Sequence, residues 1–246
     1  MPRRNFLLVL SYDGTDFSGW QRLPGAGRSV QEEVESALGR LLGAPVEVTG
    51  AGRTDAGVHA EGQAASFHAH TPLGPEEIVA GLGRELPADV RCRSCREVDP
   101  RFHARFRAKG KRYRYRLQVG PVADAAARRT SLRVEGRLDL ELMREAAGIL
   151  AGERDFRAFT NAKGKSDTRR RLDRVEVLES GFFLDLVFDG EGFLYNQVRL
   201  MAAAILAVGQ GRLGLDRLVA ALERGDRSAL PGALGAFGLS LLEVRY

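Results

Sequence analysis

The sequence predicts an α/β protein of the α+β type, built from two ferredoxin-like βαββαβ halves with largely antiparallel sheet and a basic cleft where the halves meet. Three observations predict it. Short segments with apolar residues at period two alternate with segments whose apolar residues recur at helical spacing. The same order of segments occurs twice, before and after Pro100. All nine prolines fall outside the predicted strands and helix interiors, where a missing N–H would break a ladder or a helical turn.

In the first half, Asn5–Tyr12 alternates as a strand, and the polar, glycine-containing stretch from Asp13 to Gln21 ends it. Ser29-Val30-Gln31-Glu32 reads as a capping box. Val34, Ala37, Leu38, Leu41 and Leu42 continue the helix until Gly43 and Pro45 stop it. The pattern then predicts strands over 46–51 and 62–69, a helix over 75–86 with proline in its first turn, and a strand over 90–98. The second half repeats the order with one helix added. Strands are predicted over 111–119, 172–178, 182–188 and 239–246, and helices over 138–151, 193–208 and 215–224. In the helix over 138–151, Leu140, Met143, Ala147 and Leu150 face inward. The expected division is an N-terminal half (1–100), a basic linker (101–110) and a C-terminal half (111–246).

With 246 residues, 44% of them hydrophobic, the chain can bury a sizeable core. The apolar run Phe6 to Leu10 is too brief for a signal peptide and no stretch could span a bilayer, so a cytoplasmic protein without membrane contact is expected. Cys92 and Cys95 have C-x-x-C spacing, but a tetrahedral zinc site needs further ligands and no second pair exists. His68 and His70 fall on one face of a predicted strand and read as solvated. No metal and no cofactor are expected. Formal net charge is +5, but residues 101–174 hold 21 Lys/Arg against 9 Asp/Glu, a net of +12, and leave the remainder at −7. A basic block of that density with interleaved aromatics reads as a footprint for a phosphate backbone.

The stretch from Gly50 to Ala60 concentrates the chemistry. Its glycines allow a tight turn and close approach to a ligand, and Arg53 sets a cation beside Asp55, which favours the ionised carboxylate. That describes a nucleophile or base. On local chemistry alone, the first reading of Asp55 is an Asx-turn or cap residue in a strand-to-loop turn.

Gly52-Arg53-Thr54-Asp55-Ala56-Gly57-Val58-His59 resembles the active-site motif of TruA-type tRNA pseudouridine synthases. Tyr12-Asp13-Gly14-Thr15, Gly19-Trp20-Gln21, Ser29-Val30-Gln31-Glu32, Phe102-His103-Ala104-Arg105-Phe106, Lys111-Arg112-Tyr113-Arg114-Tyr115 and Val198-Arg199 follow in that family's order. The resemblance therefore covers essentially the whole chain. It implies a cofactor-free isomerase turning uridine into pseudouridine, acting as a homodimer on the anticodon stem-loop of tRNA just 3′ of the anticodon. It implies Asp55 as the catalytic carboxylate, Arg199 paired with it, and Tyr113 stacked on the target base. Alternation alone reads Tyr113 differently: period two puts Arg112, Arg114 and Arg116 on one face of the strand, and Tyr113, Tyr115, Leu117 and Val119 on the core face. Arg53, Arg105, Lys163, Lys165, Arg169, Arg170 and Arg171 are phosphate-contact candidates. A non-catalytic RNA-binding protein and an RNA glycosidase or nuclease are the rival readings.

Overall fold

The computed structural model describes residues 2–25, 27–120, 122–162, 164 and 167–246. In chain order the first elements are β1 (Arg4–Tyr12), α1 (Val30–Leu42), β2 (Val48–Gly50), β3 (His59–Ala69), α2 (Pro75–Glu85) and β4 (Val90–Val98). They are followed by β5 (Gly110–Gln118), β6 (Leu132–Arg133), α3 (Leu140–Leu150), β7 (Gly152–Asp155), β8 (Arg169–Ser180), β9 (Phe183–Gly190), α4 (Gln197–Gly209), α5 (Leu215–Arg224) and β10 (Leu239–Arg245). The chain forms two compact units, Met1–Lys109 with Ser240–Tyr246, and Gly110–Leu239.

In the first unit the strands lie in the order β4-β1-β3-β2, every pair antiparallel, which is the strand order of a split βαββαβ unit. Alternation on β1 sends Phe6, Leu8 and Leu10 to one face, all fully buried, with Phe6 stacked on Phe67 at 5.3 Å. Val34 and Leu38 of α1 and Ile78 and Leu82 of α2 are likewise excluded from water. Ser29 starts α1 as its sequence predicts, its hydroxyl accepting from Glu32 N–H at 3.3 Å. On the other face Leu7 clusters with Ala51, Ala64 and Ala104, and Val98, Phe102, Val244 and Tyr246 pack against that cluster.

The last strand falls in this unit, whereas its place in the sequence repeat puts it at the end of the second half. β10 pairs in parallel with β3, Ser240 opposite His59 and Leu241 opposite Ala60. A side chain at residue 62 would run into the Leu242 carbonyl oxygen, so Gly62 is what permits this approach. Lys109 N–H donates to Arg245 O at 2.8 Å and the Tyr246 hydroxyl to Ala104 O at 3.0 Å, which fastens the terminal strand at its far end.

In the second unit the order is β5-β9-β8-β7, antiparallel, with β6 parallel to β5. β7, Gly-Glu-Arg-Asp, has no apolar alternation to announce it and exists because it pairs with Arg169–Leu172, which also lengthens β8 beyond the predicted strand. Met143, Ala146, Ala147 and Leu150 of α3 are buried, and the helix begins after Asp139, whose carboxylate accepts from Leu142 N–H at 3.0 Å. Leu140, expected inward, is the first helical residue and only half-buried. Helix α4 is buried all round except at Arg199, the pattern of a helix enclosed by the rest of its unit. It starts at Gln197, not at Phe193, because Asn196 is left-handed (φ 59) and interrupts the helical path.

Candidate active site

The Asp55 loop joins β2 to β3 and is held from several sides. Asp55 O accepts from Val58 N–H at 3.1 Å, closing a turn in which Gly57 has φ +77. The preceding segment braces it: Trp20 N–H donates to Thr54 O at 3.1 Å and Gly57 N–H to Phe17 O at 3.3 Å. That approach needs Gly19, whose φ is +110 and where a Cβ would stand 2.7 Å from Thr54 O. Behind the loop the Tyr12 hydroxyl and Thr54 Oγ1 are hydrogen-bonded at 2.8 Å, and Gln63 Nε2 donates to Gly52 O at 3.0 Å. Burial pushes the Tyr12 phenol up to about 12, with its bonds to Thr54 and Gln63 acting in the opposite sense. The neighbouring strand start is fixed too, since Gly14 N–H donates to the buried His59 Nδ1 at 3.1 Å. The result presents Asp55 half-buried, with Arg53 and Ala56 exposed on either side.

Sequence reasoning found this loop but not its supports. Tyr12 and Trp20 stand in motifs that the resemblance picked out without a role, and nothing in their spacing announced that they bind Thr54. Gln63 and Phe17 carried no signal.

Two candidates lie in the second unit. Tyr113 sits on β5 opposite Phe188, 8% exposed, with the Phe193 ring edge-on at 5.1 Å. Tyr115 is fully buried, its hydroxyl donating to Gly235 O at 2.8 Å, so both tyrosines occupy the core face that alternation assigned. Arg199 Nε donates to Leu234 O at 2.7 Å and Nη1 to Asn196 Oδ1 at 3.0 Å. Burial raises the Tyr115 phenol, and the Arg199 cation opposes that shift. Tyr195 is exposed in the turn before α4.

The basic block divides. On β5 the arginines meet buried carboxylates of β9: Arg112 binds Asp189 at 2.8 Å, Arg116 binds Asp185 through two bonds of 2.7 Å, and Arg114 Nε lies 4.0 Å from Asp185. These three are structural ion pairs before they are phosphate ligands, which corrects the reading of the whole block as a footprint. Arg169 and Arg171 of β8 similarly meet Glu153 (3.3 Å) and Asp173 (2.9 Å), and Arg170 lies 3.6 Å from Asp167. Arg101, Arg105, Arg107 and Lys109, by contrast, are exposed on the loop before β5. Lys163 and Lys165 lie outside the described residues.

No group of three or more His, Cys, Asp or Glu side chains is placed to hold a metal among the described residues. Cys92 and Cys95 are free thiols on β4, pushed up by burial to about 11 and about 12. No described helix is long and apolar enough to cross a membrane.

Residues 8–107 and 146–246 match the family model described as tRNA pseudouridine synthase. The chain belongs to the tRNA pseudouridine synthase family. It is 44% identical over 250 residues to tRNA pseudouridine synthase A of Geobacter sulfurreducens, covering 99% of this chain and 100% of the relative. The enzyme of the same name from Exiguobacterium sibiricum is 41% identical over 99% of this chain and 97% of its own length, and that from Geobacter sp. strain M21 is 39% identical over 99% of both. Members of the family are isomerases that convert uridine to pseudouridine, and that is the reaction class of this synthase. The matched span includes the Asp55 loop, its braces at Phe17 and Trp20, and the Arg199 helix.

Proposed function

We propose that this chain isomerises uridines of the tRNA anticodon stem-loop just 3′ of the anticodon, with Asp55 as the reacting carboxylate. The observation that carries this is the fixed Asp55 loop, in which the residues on either side of a half-buried Asp55 (Gly52, Thr54 and Gly57) are held by backbone and side-chain bonds to Gln63, Trp20, Tyr12 and Phe17. Such preorganisation serves chemistry better than it serves a simple turn.

In the reaction the N1–C1′ bond breaks, the uracil rotates, and C5 bonds to C1′. The proton released from C5 is matched by one gained at N1, so nothing is added or lost. One carboxylate suffices because a departing uracil anion spreads its charge over two carbonyls, whereas an alkoxide leaving group needs a general acid. Asp55 performs its step by attack on C1′, by removal of a sugar proton or by addition to the base. Tyr113 supplies the aromatic surface that replaces the lost stacking of the extruded base. Arg53 and Arg105 bind phosphates. The enzyme works as a cytoplasmic homodimer without metal or cofactor, two copies gripping one tRNA.

Unmodified tRNA incubated with the protein and a chelator tests the reading. Pseudouridine should form without base loss or strand cleavage. An inert binder would give no product, and a nuclease would give fragments.

A further inference from the structure

Four aromatic residues interleave with the cations between Arg101 and Arg116: Phe102, Phe106, Tyr113 and Tyr115. The structure separates them. Phe102 packs on Tyr246 with ring centres 5.0 Å apart, Tyr115 is fully buried and Tyr113 nearly so, but Phe106 is 78% exposed. A single exposed phenylalanine needs no explanation by itself. Two features distinguish this one.

Its ring is held. The His103 imidazole stacks on it with centres 4.2 Å apart and planes 27° from parallel, covering one face and leaving the other to solvent. The His103 ring is itself fixed, since Nδ1 accepts from Arg105 N–H at 3.2 Å and Phe106 N–H at 3.4 Å, and Arg107 N–H closes the turn onto His103 O at 3.0 Å. The loop is anchored below by Ala104 N–H on Ser66 Oγ (3.1 Å) and by Asn5 Nδ2 on Phe102 O (2.9 Å). The second feature is charge: Arg101, Arg105, Arg107 and Lys109 are exposed on the same loop, and no acidic residue occurs between 101 and 109. A rigid ring with one free face on a loop of exposed cations is the arrangement that receives an unstacked base of single-stranded nucleic acid. A second copy of this chain fits less well, because it would bring the same four cations against these.

We propose that Phe106, backed by His103, stacks on an unpaired nucleobase of the RNA substrate other than the uridine being isomerised, while the flanking cations hold the phosphates of that strand. The inference rests on the reading of the chain as acting on an RNA loop and adds a contact that fixes how the loop is seated.

The chain has one tryptophan, the buried Trp20, so Phe106→Trp introduces an indole whose emission reports on this position. Titration with an unmodified anticodon stem-loop should quench it, whereas a fully paired RNA duplex with the same number of phosphates should not. Phe106→Ala should weaken stem-loop affinity by about 5- to 100-fold, the effect of losing one base-stacking contact. The salt dependence of binding should keep its slope because no phosphate contact is lost, and melting temperature and oligomeric mass should match wild type. Phe106→Trp should bind like wild type. Unchanged affinity of Phe106→Ala overturns the proposal, as does equal quenching by the duplex. A flattened salt slope, or a fall in oligomeric mass without RNA, also overturns it and assigns Phe106 to loop structure or to a contact between copies. Wild-type protein that makes no pseudouridine would instead refute the proposed function, so the two failures are distinguishable.

Discussion

Replacing Tyr12 by phenylalanine tests whether the Asp55 loop owes its activity to the support behind it. The change keeps ring volume and removes one hydroxyl, which is hydrogen-bonded to Thr54 Oγ1 at 2.8 Å in a buried position. A lost hydrogen bond that strands a buried partner costs about 1–3 kcal/mol, and for a chain of this size that lowers Tm by roughly 2–10 °C. Thr54 is the residue before Asp55, so its release loosens the carboxylate, and a misplacement on the order of 1 Å can cost about 100-fold in rate. We expect the single-turnover rate of pseudouridine formation to fall by about 10- to 100-fold, with tRNA affinity unchanged. Alkaline unfolding gives an independent reading. The Tyr12 phenol is raised from 10.0 to about 12 by burial, so below pH 10 both folded and unfolded forms hold the proton and stability is full. Between pH 10 and 12 the unfolded chain releases it first, and stability drops by roughly 3 kcal/mol. Tyr12→Phe should flatten that part of the stability curve; Tyr115 and Tyr246, also raised by burial, keep a residual slope. A lowered Tm with an unchanged single-turnover rate would refute the positioning argument and make Tyr12 simply a core residue.

Asp55→Asn keeps shape but removes the charge needed by a nucleophile or base, so pseudouridine formation should fall below detection in single turnover while tRNA affinity and Tm hold; near-normal turnover would remove Asp55 from the mechanism. Tyr113→Ala should cut turnover more than affinity and Tyr113→Phe should be mild. Because Tyr113 is largely buried against Phe193, a Tm loss without a rate loss would leave it a packing residue only. Arg105→Ala combined with Arg107→Ala removes two exposed cations and should lower the slope of log affinity against log salt by about two, since each lost phosphate contact contributes about one. An unchanged slope, measured by anisotropy across a salt series, would place this loop away from RNA.

Periodicity and capping chemistry determined the element order, because they report on the environment of each residue and are written locally. Ser29 caps α1, alternation on β5 sorts Tyr113 and Tyr115 from Arg112, Arg114 and Arg116, and the Asp55 loop falls between β2 and β3, all from neighbouring residues. Tertiary structure decided what those faces meet. The sequence shows a dense basic block, but only the pairing of β5 with β9 brings Asp185 and Asp189 against three of its arginines, some 70 residues apart in the chain. The same holds for β10, whose partner is chosen by the close approach that Gly62 allows, and for β7, which has no apolar signal and forms only because β8 offers it a ladder. It also holds for the Asp55 loop, whose braces at Tyr12, Phe17, Trp20 and Gln63 converge from separate segments. A local pattern fixes whether a side chain faces core or water; which distant group satisfies it depends on chain packing that no local window contains.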